Sequence, residues 1–393
     1  HLERAGEPLA AAGWYARAAS FEGSGDAAEA FRFWQKVRAL CREIPETPES
    51  LTLLVRAGVQ AMNLSWRLGV PEAEVREIFA ETRRSAERSG RADAIAGAAG
   101  AFGIVRGMAG NVREALSHLE EATRLAESSG RVALEVALLA ALGYLRAATG
   151  DLRGALAVAE HGIAAGGGDV DLGAELAFLR PVVFLTALRG FVLTYLGRLE
   201  EAGRALSEAL AIAERDREAE VAGWINGWKV LHVASSGADG PALERAQRGL
   251  DVAERSGSPF SQVVALASLG RVHALRSEWP EAVEALSRSL ELARLRRTGL
   301  ETEAGTLADL ATASLEVGER ERALRLAAEA VEIARQRGLR LDECMASRVH
   351  ARILLETSRS RRRSARRALE RALELARETG ARALEPAIHL GFA

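Results

Sequence analysis

The chain holds two cysteines in 393 residues, Cys41 and Cys344. So widely spaced a pair makes neither a disulfide framework nor a zinc motif, and a reducing cytoplasm is the expected setting. Lysine is confined to Lys36 and Lys229. A phosphate-binding loop needs lysine directly after glycine; here the preceding residues are Gln35 and Trp228, so no such loop exists. Neither G-x-S-x-G nor H-E-x-x-H occurs, which removes two common hydrolase signatures. The 7 histidines are scattered singly, whereas metal sites need clustered donors. No metal, no cofactor and no catalytic residue is therefore expected.

One sign of charge is not in excess either. The formal net charge is −2, which argues against a nucleic-acid partner. The one dense basic run is Arg359, Arg361, Arg362, Arg363, Arg366 and Arg367. A contact with nucleic acid, lipid or an acidic partner surface is one reading of it; it lacks the interleaved aromatics that stack on bases, and the favoured reading is a solvated turn entering the last full repeat. Long apolar runs are also missing. The most apolar stretch, 181–197, contains Arg189 and is flanked by Arg180 and Arg198. Those charges are costly in a bilayer, so a buried helix is expected and no membrane span. No signal peptide is recognisable, and His1 already lies in a helical pattern, which points to a piece of a longer polypeptide. Gly23-Ser-Gly25 has no strand before it, so it reads as an interhelix turn, and Gly166-Gly-Gly168-Asp169 reads as a loop.

What the chain has in quantity is hydrophobic residues, 48% of the total, with only 9 prolines and 5% aromatics. Alanine, leucine, glutamate and arginine dominate, side chains that lose little freedom in a helix. The dominant pattern is self-similarity. Gly110, Gly150, Gly197, Gly237, Ser277 and Gly318 each open a segment that runs into an amphipathic helix, at spacings of 40, 47, 40, 40 and 41 residues. Helix tails repeat as well, from Leu210-Ala-Ile-Ala-Glu214 through Leu250-Asp-Val-Ala-Glu254 to Leu373-Glu-Leu-Ala-Arg377.

Each unit reads as helix A, tight turn, helix B and a glycine stop such as Gly130, Gly257, Gly338 or Gly380, where glycine supplies the left-handed terminal residue. Pro71, Pro241 and Pro280 fall at the start of helix B, where a missing N–H costs nothing. Gly103, Gly143, Gly190 and Gly270 lie seven residues before the turn and permit close packing of B on A. A period of about 40 residues built this way predicts an all-α solenoid of about nine helix pairs without a sheet.

Trp14, Ala18, Phe21, Gly25, Ala30 and Trp34, and later Leu266, Leu269, Gly270, His273, Ala282 and Leu286, partly follow the pattern W-x2-L-G-x2-Y, then Ala and a bulky residue. The chain thus resembles the tetratricopeptide (TPR) family, which implies a right-handed α-solenoid of helix pairs. Residues 1–90 read as atypical N-terminal pairs and 91–393 as regular repeats ending in a capping helix, one continuous solenoid. A narrower resemblance rests on 1–7, 12–19, 26–40, Asn63-Leu-Ser-Trp-Arg-Leu-Gly69 and Ile78-Phe-Ala-Glu81. These segments look like the C-terminal repeats of large bacterial class III adenylate/guanylate cyclases with an AAA-type NTPase, or of MalT-like LuxR-type regulators.

The resemblance implies a non-catalytic scaffold and sensor region of a bacterial multidomain signalling protein. Its partner is expected to be a protein or peptide, including other domains of the same polypeptide. The alternative is a small-molecule-sensing domain of an ATP-dependent transcriptional regulator. Repeat phase places Phe184, Phe191, Tyr195, Trp224 and Leu231 on the inner side of adjacent A helices, with Tyr144 and Met108 in comparable places upstream. These residues form either a concave groove for a hydrophobic segment or an aromatic core.

Overall fold

In the computed structural model, residues 2–22, 26–177, 179–216, 218–236, 242–357 and 361–392 are described. They form helices and turns, with no strand among them. The first four pairs are α1 (Pro8–Glu22) with α2 (Ala27–Arg42), α3 (Pro48–Leu68) with α4 (Glu72–Ser89), α5 (Ala92–Met108) with α6 (Val112–Ser128), and α7 (Val132–Ala148) with α8 (Leu152–Ala165). A short helix, α9 (Ala174–Ala177), follows. The remaining pairs are α10 (Pro181–Tyr195) with α11 (Leu199–Arg215), α12 (Ala219–Ser236) with α13 (Ala242–Ser256), α14 (Pro259–Leu275) with α15 (Trp279–Arg296), α16 (Glu303–Glu316) with α17 (Arg320–Arg337), and α18 (Arg340–Thr357) with α19 (Arg362–Thr379). A six-residue helix, α20 (Glu385–Leu390), ends the chain. The expected nine pairs are thus present among the described residues.

Local signals set the helix ends. Thr47 and Ser50 close a reciprocal capping box on α3, with Pro48 just inside. Asp26, Asp151 and Ser258 accept from backbone N–H groups at the starts of α2, α8 and α14. Gly338 and Gly380 stop α17 and α19 in the left-handed conformation. Gly110, Gly150, Gly197 and Gly318 lie between the A and B helices of their units, as the repeat phase requires; Gly237 and Pro241 fall outside the described residues, as does Gly23-Ser-Gly25.

The two helices of a pair differ in kind. α6 buries Val112, Ala115, Leu119, Ala122 and Ala126, a single stripe at helical spacing. Its partner α5 is buried on several faces, from Ala96 to Met108, because it is covered by α6 on one side and by α3 and α7 on others. The interior glycines explain the closeness. A Cβ on Gly103 would meet Leu119 and the Ala115 carbonyl, one on Gly190 Leu206 and the Ala202 carbonyl, and one on Gly270 Leu286 and the Ala282 carbonyl. In the first unit the motif holds less well. Trp34 is fully buried, but Trp14 and Phe21 are exposed on α1, where the Arg17 guanidinium covers the Trp14 ring.

The array coils until it meets itself. α3 packs against α14, and the Thr298 hydroxyl donates to the Trp66 carbonyl 232 residues away in sequence. Arg67, nearly buried, pairs with Glu220 at 3.1 Å. The A-to-B turns of the early pairs receive the later turn of the coil. The Arg296 carbonyl sits over Gly69, the Arg337 guanidinium over Gly110, Thr379 and Arg340 over Gly150, and Arg382 beside Gly197. Glycine serves twice here, by its positive φ and by leaving room for the second layer.

Candidate functional site

Because the A helices face inward, coiling wraps them around a cavity of about 580 Å³. α3 contributes Val59, Gln60, Asn63 and Trp66, α5 Ile104 and Met108, and α7 Leu138, Ala141 and Tyr144. Phe184 comes from α10, Trp224 and Trp228 from α12, and Phe260 from α14. Polar groups gather among Arg56, Arg91, Asp93, Arg131 and Glu175. Arg91 holds Asp93 through two hydrogen bonds, at 3.1 and 2.6 Å.

The aromatic walls interlock. Trp224 lies 6.4 Å from Trp66 and from Phe184, and 5.6 Å from Phe260, measured between ring centroids. The latter two contacts are edge-on, an arrangement that the ring quadrupoles favour. Trp228 touches Tyr144, Phe184 and Phe191. Of the residues singled out in the sequence, Tyr144, Phe184, Trp224 and Met108 line the cavity, whereas Phe191, Tyr195 and Leu231 are not part of its lining. Phe191 and Tyr195 meet edge-to-face at 5.2 Å, and Phe191 lies 5.1 Å from Trp228. Tyr195 is buried, with its hydroxyl against the Met345 sulfur. Trp66, Gln60, Asn63, Ile104, Trp228 and Phe260 escaped the sequence reading. Trp228 is one turn from Trp224 and so shares its face, a signal that was available; the approach of α3 to α14 carries no local signal.

Beyond Tyr144 lies a polar cluster. The Tyr144 hydroxyl donates to Glu301 Oε1 at 3.2 Å, and Arg271 pairs with Asp309 at 2.6 Å. Burial pushes the Glu301 carboxyl up to about 8, against the opposing pull of the Tyr144 bond and Arg337. Burial likewise raises Asp342 to about 7, with Arg271 opposing it and Asp309 reinforcing it. In an unfolded chain a glutamate titrates near 4.3. Between that value and 8 the folded chain holds the extra proton, so this contribution to stability is complete below the unfolded value and is lost as pH rises to 8. Compared with the wild type, Glu301→Gln should therefore lose less melting temperature between pH 7 and 8.5, the remaining slope including the share due to Asp342. A slope unchanged in Glu301→Gln would show the carboxyl ionised throughout.

None of these carboxylates lines the cavity. Among the described residues no group of three or more His, Cys, Asp or Glu is placed to hold a metal ion. None of the described helices is long and apolar enough to cross a membrane. Of the basic run, Arg361, Arg362, Arg363, Arg366 and Arg367 are exposed at the start of α19, and Arg366 pairs with Glu370; Arg359 lies outside the described residues.

A family model described as anaphase-promoting complex subunit 5 matches residues 272–347. No curated protein matches the chain. Among solved structures, a Rap protein complexed with Competence and Sporulation Factor is similar over 96% of this chain and 99% of that one, at 16% identity and TM-score 0.69. The Rap conjugation gene regulator of the plasmid pLS20, in complex with the Phr* peptide, is similar over 97% and 96%, at 14% identity and TM-score 0.55. At such identities the likeness shows the fold: a TPR-like helical repeat array.

Proposed function

We propose that this chain is a TPR-type sensor and interaction region whose interior cavity takes an apolar segment of a protein or peptide. The observation that carries the reading is the aromatic-walled cavity, ringed by A helices from six units and bordered by polar side chains. An apolar interior with a few fixed polar groups is the usual form of a binding pocket. The fold neighbours complexed with a regulatory factor and with a peptide support it. In this reading the region works by binding, as part of a larger bacterial signalling polypeptide, and its occupant comes from a separate chain or from a neighbouring domain. The resemblance of the first 90 residues to cyclase and regulator repeats supports that setting. A volume of about 580 Å³ also suits a compact molecule, since such pockets span about 300–1,000 Å³, and this favours the small-molecule alternative as second reading.

Selection of a displayed random-peptide library on the full chain tests the proposal. Apolar sequences should be enriched, and Ala141→Phe, which fills the cavity from α7, should weaken them at least tenfold. Enriched peptides that bind Ala141→Phe as tightly as the wild type would move the site elsewhere. Absence of enrichment, with small apolar molecules retained, would favour the second reading.

A further inference from the structure

The unit opened by Gly150 is the longest, 47 residues to Gly197, and its surplus length does not form another pair. It forms a strap, residues 169–177, that crosses from the end of α8 to the cavity and ends in α9. Glu175, Leu176 and Ala177 are part of the cavity lining. Val170 packs against the apolar core around the cavity, and Leu172 against the neighbouring cluster. Gly167 and Gly168, at φ +56° and +89°, precede the strap, and Gly173, at +81°, interrupts it just before α9.

A single helical turn cannot hold itself, because nucleation costs more than its hydrogen bonds return. α9 is held from outside. Asn63 of α3 donates through Nδ2 to the Leu176 carbonyl at 3.1 Å, and Gln60, one turn earlier, through Nε2 to the Glu175 carbonyl at 3.5 Å. The second bond is at the limit of hydrogen-bond length. Gln60 is also only half used. The residue is 6% exposed, and no donor among the described residues reaches the buried Oε1. Buried side-chain oxygens are nearly always paired. A primary amide matches a peptide unit on both sides, donating to a C=O and accepting from an N–H. The strap supplies the carbonyls and no N–H to Gln60.

We propose that the Gln60–Asn63 face of α3 is a subsite for the main chain of the bound segment, and that the strap occupies it as an internal stand-in until displaced. This rests on the peptide-binding reading of the cavity and names where the backbone is held. An extended apolar peptide would take over both side-chain amides and also donate an N–H to Gln60 Oε1, which the strap leaves unmet. Gly167 and Gly168 before the strap and Gly173 within it supply the backbone freedom for displacement on the α8 side.

The test uses a full-length variant in which residues 170–177 are replaced by an eight-residue Gly/Ser segment, preserving length. The probe is a fluorescein-labelled, end-blocked peptide of residues 169–177 itself, read by anisotropy, with 1-anilinonaphthalene-8-sulfonate as a separate reporter of the cavity. The replaced chain should bind the peptide at least tenfold more tightly than the wild type, and Asn63→Ala in that background should lose at least tenfold. Equal binding by wild type and replaced chain, or no effect of Asn63→Ala, overturns the subsite. If the dye still binds, the cavity reading survives that outcome; if neither dye nor peptide binds, both fall. Should the replaced chain fail to fold, hydrogen exchange on Asn63→Ala in the intact strap gives the answer. Exchange at residues 174–177 should accelerate at least tenfold over α8 and α10, and unchanged exchange overturns the tether.

Discussion

Trp224→Ala should cost about 3–5 kcal/mol of stability, the range for truncating a buried large aromatic. The residue is only 8% exposed although it lines the cavity. Its ring is wedged among Trp66, Phe184 and Phe260, its Nε1 donates to Ser261 at 3.4 Å, and the Arg67 guanidinium lies over it. Arg67 is itself tied to Glu220, so the loss reaches the contact that closes one turn of the coil on the next. Trp228→Ala should be milder, since Trp228 is half-buried. Denaturant titration of both variants checks this. Comparable midpoints for Trp224→Ala and wild type would mean that the ring is a movable wall of the cavity and not a strut.

The second large effect is expected at Gly69. A Cβ there would lie 2.2 Å from the Arg296 carbonyl oxygen, and backbone cannot swing away as a side chain can. The residue is also left-handed, at φ +70°. Alanine should therefore pay the left-handed penalty of about 1–2 kcal/mol together with an overpacking cost of about 1–3 kcal/mol, for a total of about 2–5 kcal/mol. Gly130 is the control. Its φ is +67°, but nothing lies within 4 Å of its added Cβ, so Gly130→Ala should show the first penalty alone. Thermal melts of the two variants measure the difference. Equal losses would mean that the seam between the turns gives way at no cost.

Legibility in the sequence followed the range of the interactions. Gly110, Gly150, Gly197 and Gly318 could be placed from sequence because a helix stop is decided within a few residues. Gly103, Gly190 and Gly270 could be matched to their B helices because a pair is local. Tyr144, Phe184 and Trp224 could be put on inner faces because repeat phase fixes the side of the helix. What phase does not fix is depth along the coil. Phe191 and Tyr195 share the face of Phe184 but lie outside the cavity lining. Trp66 and Phe260 meet at 4.7 Å only because the array curls far enough to bring α3 to α14, and curvature is a sum of small rotations that no single motif records. The strap was visible as surplus length and a run of glycines, but its attachment to Gln60 and Asn63 was not.

The seam at Gly69, Gly110 and Gly150 also bears on how the chain comes apart. Open solenoids behave as one-dimensional arrays, in which terminal repeats fray and melt nearly independently of the middle. Here the partner of Trp66 stands 232 positions away, so loss of the α14–α15 unit strips a neighbour from α3, five units earlier in the chain. Denaturation should then be a single cooperative transition, with amide protection in α3 matching that in α14. Refolding should be slow for a helical protein, since a long loop must close before the seam can reward it.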